Sequence, residues 1–424
     1  MAVTWEIDTL DNGLRVVTTA VPTAQSVSVN LLVGVGSRAE ERRTNGVSHY
    51  LEHMLFKGTE RRSAPTDIAE AIEGAGGMLN AYTSQEVTGY WNRVPFDKLA
   101  LAMDVLADSL QHSLIDAEEV DRERTVVQQE IKSSYDHPGA WASHLLSEAH
   151  FGDQPLGWPV AGTVDSVQEL KRDDLMNHIG TWYVPRNIVL SVAGNTTQGE
   201  VLKLARKLLA EAEGGPAPAI PTARDGIPER NVIVEDRDIT QSNMAMALRT
   251  VSRRDPDRSA VTLMNAVLGR GMSSRLFKEV RERRGLAYSI GSGVSLYNDT
   301  GVLTISAGVS ADKVAETTTV IKAELTKLVE EPVGEEELTK SRDYIIGNFR
   351  LSMETPMALA QRAGDQLLML GEIESIDDVV ARYQAVTAAE VQRVAERIFR
   401  KDNFSMSLVG PGANEGELTE LLAA

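Results

Sequence analysis

The chain has 424 residues, 42% hydrophobic and 25% charged, the balance of a soluble folded protein and more than one hydrophobic core usually organises. Its 43 basic against 61 acidic residues leave a net charge of −18 with no compensating Lys/Arg block, which argues against nucleic acid as a partner. With no cysteine there are neither disulfides nor thiolate metal sites, so only His, Asp and Glu remain as protein ligands for a metal.

The opening MAVTWEIDTLDNG has neither a basic n-region nor an apolar h-region, and no 18-residue apolar run occurs later. The sequence therefore reads as cytoplasmic, without membrane association. Residues 14–21 and 26–34 are β-branched-rich runs separated by Pro22, as paired strands are. Next comes His49-Tyr50-Leu51-Glu52-His53. Histidines at i and i+4 lie one turn apart on one helix face, so both imidazoles can converge on one cation with Glu52 beside them. The pattern resembles the inverted zinc-site motif H-x-x-E-H.

Thr66 offers an N-cap hydroxyl to a second helix running towards Gly74. Past Gly76 and Gly77, residues 78–83 and 87–94 read as another strand pair. Helical patterns cover 99–111, 116–135, 140–150 and 167–183; a strand at 187–194 and a helix at 199–212 close this half. The segment EGGPAPAIPTARDG, 213–226, has the Pro and Gly content of an exposed linker.

The second half of the chain repeats the first in outline: strands at 232–235 and 243–250, two helices, a strand pair at 288–296 and 301–309, and long helices over 311–370. The closing segments match best, IVLSVAGNTTQGEVLKLARKLL from Ile188 against FSMSLVGPGANEGELTELL from Phe404. The expected fold is α+β, two similar domains from an internal duplication, each a mainly antiparallel sheet packed with helices. The divisions are 1–213 as a metal-binding catalytic domain, 214–227 as linker, and 228–424 as a substrate-binding domain. Aligning the halves through Gly58 and Gly271 sets Thr262, Asn265 and Ala266 opposite His49, Glu52 and His53, so the second half carries no metal ligands.

Two histidines do not complete a catalytic zinc site, which takes a third protein ligand and leaves the fourth position to water. His112, His137, His144, His150 and His178 show no partner at i+4, which turns attention to a distant carboxylate. Neither the Gly76 segment nor GRGMSS at Gly269 ends in G-K-[ST], so no phosphate loop is present.

HYLEHMLFKGT, from His49 to Thr59, resembles the H-x-x-E-H segment of the M16 zinc peptidases, the pitrilysin and mitochondrial-processing-peptidase group, and the likeness runs over essentially the whole chain. The resemblance implies one zinc per chain, held by His49, His53 and Glu130, with Glu123 orienting a ligand from behind. It implies that Glu52 is the general base for metal-activated water, in an endopeptidase acting on short or unfolded peptides. GGMLNAYTS is similar to the strand with which these enzymes pair bound peptide, which points to Asn80 and Ala81 opposite the scissile bond. LFKEVRERRGLAYS looks like the segment that supplies an Arg and Tyr pair to the substrate carbonyl, here Arg281 and Tyr288. The length is that of the short subfamily whose members pair two chains, so the expected partner is a second copy, with active sites shared between chains. The competing class is a noncatalytic structural or partner subunit of an M16-like complex, which would be expected to lose the metal ligands this chain keeps.

Overall fold

The computed structural model describes residues 3–423 except 213, 217, 412 and 413, and these form two sheets. The first contains β1 (Glu6–Thr9), β2 (Arg15–Ala20), β3 (Ser26–Val33), β4 (Met78–Thr83), β5 (Thr88–Pro95) and β6 (Ile188–Gly194) in the order β1-β2-β6-β3-β5-β4. The second contains β7 (Val232–Glu235), β8 (Ser242–Thr250), β9 (Ala287–Leu296), β10 (Gly301–Val309) and β11 (Phe404–Val409) in the order β7-β11-β8-β10-β9. Leaving out β1, the two orders correspond strand for strand. Each sheet also has one parallel pair in the same place, β2 with β6 and β7 with β11, the rest being antiparallel. The expected duplicated α+β fold is the fold observed.

The helices repeat in the same way. The first half carries α1 (Val47–Met54), α2 (Pro65–Glu73), α3 (Leu99–His112), α4 (Ala117–Asp136), α5 (Pro138–Phe151), α6 (Val164–Glu169), α7 (Arg172–Trp182) and α8 (Gln198–Leu209). The second carries α9 (Arg258–Gly269), α10 (Val314–Glu330), α11 (Glu335–Ser352), α12 (Pro356–Leu370), α13 (Ile376–Ala385), α14 (Ala388–Ile398) and α15 (Glu415–Ala423). Between α9 and β9, Phe277–Arg283 winds as a π-helix. Among the described residues no helix is long and apolar enough to cross a membrane.

The chain packs into two compact units, and these do not follow the division at 213 and 228. One unit comprises residues up to 131, 159–221 and 350–376; the other comprises 132–158, 222–349 and 377–424. Each sheet is thus covered on one face by a helix from the opposite half of the sequence. In the first unit, Leu359, Ala360, Ala363 and Leu367 of α12 pack on Val17, Val189 and Ala193. Here the approach is close: a Cβ on Gly364 would lie 2.4 Å from Leu32 and 3.0 Å from the Ser191 side chain. In the second unit, Ala142, Leu145, Leu146 and Ala149 of α5 pack on Ile233, Val409, Ala245 and Ala247. Apolar periodicity gives a helix its buried face but not the sheet that buries it. The linker is tied down in pieces, with Arg38 Nε donating to the Pro221 carbonyl in the first unit and the Arg224 N–H to Gln154 in the second; its positions 213 and 217 lie outside the described residues.

Some local expectations are corrected. α2 begins with Pro65, and the Asp67 carboxylate, not the Thr66 hydroxyl, closes its first turn by accepting from the Ala64 N–H. The run 167–183 is two helices, because Leu170 is extended and the Asp174 carboxylate accepts from the Lys171 N–H to start α7. β1 appears where no strand was expected.

Candidate metal centre

α1 is held by its apolar stripe: Val47, Tyr50, Leu51 and Met54, at i, i+3, i+4 and i+7, are buried in the core of the first unit. His49, Glu52 and His53 fall on the complementary face. The helix starts at Gly46, φ +98°, where a Cβ would stand 2.7 Å from the Ala161 carbonyl oxygen, so this turn requires glycine. Glu40 caps it from upstream, accepting from the Gly46 N–H at 2.7 Å, the Ser48 N–H at 2.8 Å and Asn45 Nδ2 at 3.0 Å. A carboxylate there satisfies open donors and complements the helix dipole. Burial pushes the Glu40 pKa up to about 6 against the lowering effect of those hydrogen bonds.

The face opposite receives α4. Glu130 Oε1 lies 3.6 Å from His49 Nε2, and Glu130 Oε2 lies 3.4 Å from His53 Nε2. One donor atom from each of the three residues falls within 4.8 Å of the others. Two ligands roughly 2.0–2.1 Å from a tetrahedral zinc stand about 3.3 Å apart, so the two His–Glu separations and the His2Glu donor set suit that ion. Burial lowers the His53 pKa, but hydrogen bonds to Glu123 and Glu130 outweigh it and raise the value to about 9. His49 and His53 in turn hold Glu130 well below the usual carboxylate range.

Glu123, two turns before Glu130, is buried behind the cluster. Its Oε1 stands 2.8 Å from His53 Nδ1, the nitrogen facing away from Glu130, and its Oε2 pairs with Lys57 Nζ at 2.6 Å. Burial raises the Glu123 pKa, but His53 and Lys57 together overcome it and leave the group lowered. Lys57 escaped the sequence reading; it stands four residues past His53, beyond the end of α1 at Met54. His49 differs, since its buried Nδ1 has no hydrogen-bond partner among the described residues.

Glu52 stands beside the ligands rather than among them, and its Oε2 accepts from Thr83 Oγ1 of β4 at 2.5 Å. Asn80 and Ala81 lie on the same strand, which forms one edge of its sheet; Asn80 is exposed, and the Ala81 N–H donates to Asn80 Oδ1 at 2.7 Å. Arg281 and Tyr288 belong to the other unit, where they meet: the Arg281 guanidinium lies 5.0 Å from the Tyr288 ring and 4.9 Å from the ring of Phe277. The π-helical turn carries Arg281, and three-quarters of Tyr288 is exposed. On α9, the counterpart of α1, the positions of the histidines hold Thr262 and Ala266.

Comparison with known proteins finds one family over most of the chain. The family described as insulinase, peptidase family M16, matches residues 15–164, and the family described as the peptidase M16 inactive domain matches residues 169–344. An uncharacterized zinc protease of Streptomyces coelicolor, SCO5738, is 37% identical over 95% of this chain and 89% of its own length. The uncharacterized zinc protease YmxG of Bacillus subtilis is 33% identical over 96% of this chain and 98% of its own. Among solved structures, a protease from Helicobacter pylori superposes with a TM-score of 0.89 at 24% identity, covering 97% of this chain and all of that one. A chain of complex III2 from Candida albicans shares the fold with a TM-score of 0.85 at 18% identity, covering 99% of this chain and all of that one.

Proposed function

The chain belongs to the M16 peptidase family, and we propose that it is a zinc-dependent endopeptidase that cleaves short or unfolded peptides. The observation that carries this reading is the convergence of His49, His53 and Glu130 with Glu52 alongside. In this reading His49, His53 and Glu130 would hold one zinc per chain. Bound there, the ion would supply Lewis acidity, polarising a carbonyl and making water acidic enough to react at about pH 7.

The remaining work falls to side chains of this protein. Glu123 holds the His53 ring by its Nδ1 and leaves Nε2 as the free lone pair. Glu52 takes a proton from the attacking water on its carboxylate and returns it to the leaving amine. β4 offers backbone N–H and C=O groups along an open edge to an extended peptide, with Asn80 and Ala81 opposite the scissile bond. Arg281 and Tyr288 donate to the oxyanion as charge develops on the substrate carbonyl. In a homodimer these two would come from the second copy, giving shared sites. A cytoplasmic location is part of the same proposal.

The test is product mapping on a mixed peptide library with wild type and Glu52→Gln side by side, with metal measured on both. Cleavage by wild type alone, at one zinc per chain in both, supports the reading. A metal-loaded wild type that cuts nothing would return the chain to the noncatalytic class.

A further inference from the structure

We propose that Thr83 is a positioning residue for Glu52, fixing the general base to the strand that would register the substrate; this inference rests on the peptidase reading. The Thr83 hydroxyl donates to Glu52 Oε2 at 2.5 Å, within the range of a charge-assisted O–H···O⁻ bond. Among the described residues no donor engages the other oxygen, Oε1, which is left to receive a proton. A carboxylate on an unrestrained Glu side chain samples several rotamers; one fastened by a short bond to a strand does not.

The strand is itself fastened from both sides. Successive residues of β4 alternate faces, so Leu79, Ala81 and Thr83 look towards α1 while Tyr82 looks the other way. Leu79 and Ala81 pack on the core beneath α1, and the Tyr82 hydroxyl accepts from Gln361 Nε2 of α12. Thr83 therefore joins the base to the same rigid element whose backbone, two and three residues earlier, would pair with peptide. Substrate register and the position of Glu52 are set by one strand instead of two.

The other unit supplies an independent comparison. Asn265, opposite Glu52 in the alignment of the halves, is buried on α9, and its Oδ1 accepts from Ser292 Oγ of the edge strand β9 at 2.6 Å. Each copy thus has a hydroxyl-to-helix link from its edge strand, two residues apart along it, since by sheet register Ser292 answers to Ala81 and Thr83 to Val294. With no ligand histidines around it, the Asn265 link can only brace helix to strand. In the first unit the acceptor is a carboxylate beside the ligand set, and a brace of this kind acquires a chemical use.

The experiment compares Thr83→Val, which keeps the shape and loses the donor, with Thr83→Ser, which keeps the donor. Thr83→Ala replaces the valine variant should that one fail to fold. Each is assayed for kcat, KM, zinc per chain and melting temperature, and Ser292→Ala gives the stability worth of the brace alone. Positioning predicts that Thr83→Val loses about 10- to 100-fold in kcat with KM and zinc content retained, and that Thr83→Ser recovers most of it. A Thr83→Val enzyme whose kcat stays within about twofold of wild type, or a loss that Thr83→Ser fails to repair, overturns the proposal. A zinc-loaded wild type that cleaves nothing overturns the peptidase reading and this one with it, and is told apart because Thr83→Val then has no wild-type rate to fall from.

Discussion

His53 Nδ1 stands 2.8 Å from Glu123 Oε1. That contact decides which nitrogen of His53 faces Glu130, and Lys57 Nζ at 2.6 Å decides where the Glu123 carboxylate sits. Partners of this kind typically contribute 10- to 100-fold in metal affinity. Glu123→Gln, and more weakly Lys57→Met, should raise the zinc dissociation constant by about 10- to 100-fold at most, read by competition with a chelator. Lys57→Arg should lose less than Lys57→Met, because a cation remains to pair with Glu123. Equal zinc retention in all four proteins would mean that the contact is packing only.

The exchange of α5 and α12 between the halves carries a prediction about folding. A fragment of residues 1–213 lacks α12, so Val17, Val189 and Ala193 on one sheet face lose their cover. Burying one large apolar side chain is worth roughly 1.5–3 kcal/mol, and several lie under that helix. The fragment alone should aggregate or bind a hydrophobic dye, and so should 214–424, which lacks α5. Co-expression of the two should give a soluble complex with the helical content of the intact chain. A soluble, cooperatively melting 1–213 fragment would sink this expectation.

Much of this architecture was legible in the sequence, and the exceptions share a cause. The strands Met78–Thr83, Val232–Glu235 and Gly301–Val309 fall where alternation and flanking turns put them. The spacing of His49, Glu52 and His53 places three groups on one helix face without any tertiary knowledge, whereas Glu130 depended on resemblance. Glu40 gave no local sign, since it caps a helix whose first turn begins seven residues later. The bond from Thr83 to Glu52 and the exchange of α5 and α12 between the halves were invisible for the same reason: periodicity tells which face is buried, and the partner is chosen by the assembled fold. The split between α6 and α7 was readable in Asp174, three residues after Lys171, and was overlooked.

His150 makes the second unit sensitive to acid. It is fully buried on α5, with Nδ1 3.1 Å from Ser405 Oγ; burial, helped by the charge of Arg249, lowers its pKa to about 3. The unfolded chain takes up this proton near pH 6.5 and the folded one does not, so stability is intact above 6.5 and falls as pH drops towards 3. The loss is about 1.4 kcal/mol for each pH unit below 6.5. His178, lowered to about 4 by burial, acts in the same direction, whereas Glu40, raised to about 6, acts against it between pH 4.5 and 6. A difference measurement isolates His150: the stability advantage of wild type over His150→Gln, from urea midpoints, should shrink between pH 7.5 and 5. Parallel curves would show that His150 takes up no proton on unfolding.

Arg281 and Tyr288 sit on a unit without ligand histidines, which makes their origin in an assembled enzyme the decisive question about its partner. Two inactive proteins answer it, one carrying Glu52→Gln and the other Arg281→Ala with Tyr288→Phe. If sites are shared between copies, a mixed dimer contains one site in which every part is intact. Statistical mixing puts half of all dimers in that form, each with one working site of two, so activity should recover to about a quarter of wild type. If each site is built within one chain, every site in the mixture carries a lesion and the rate stays at that of the separate variants. Subunit exchange must be shown in the same sample by mass or by a size tag on one variant. Exchange without recovery removes the shared-site homodimer and leaves either self-contained sites or a different second subunit.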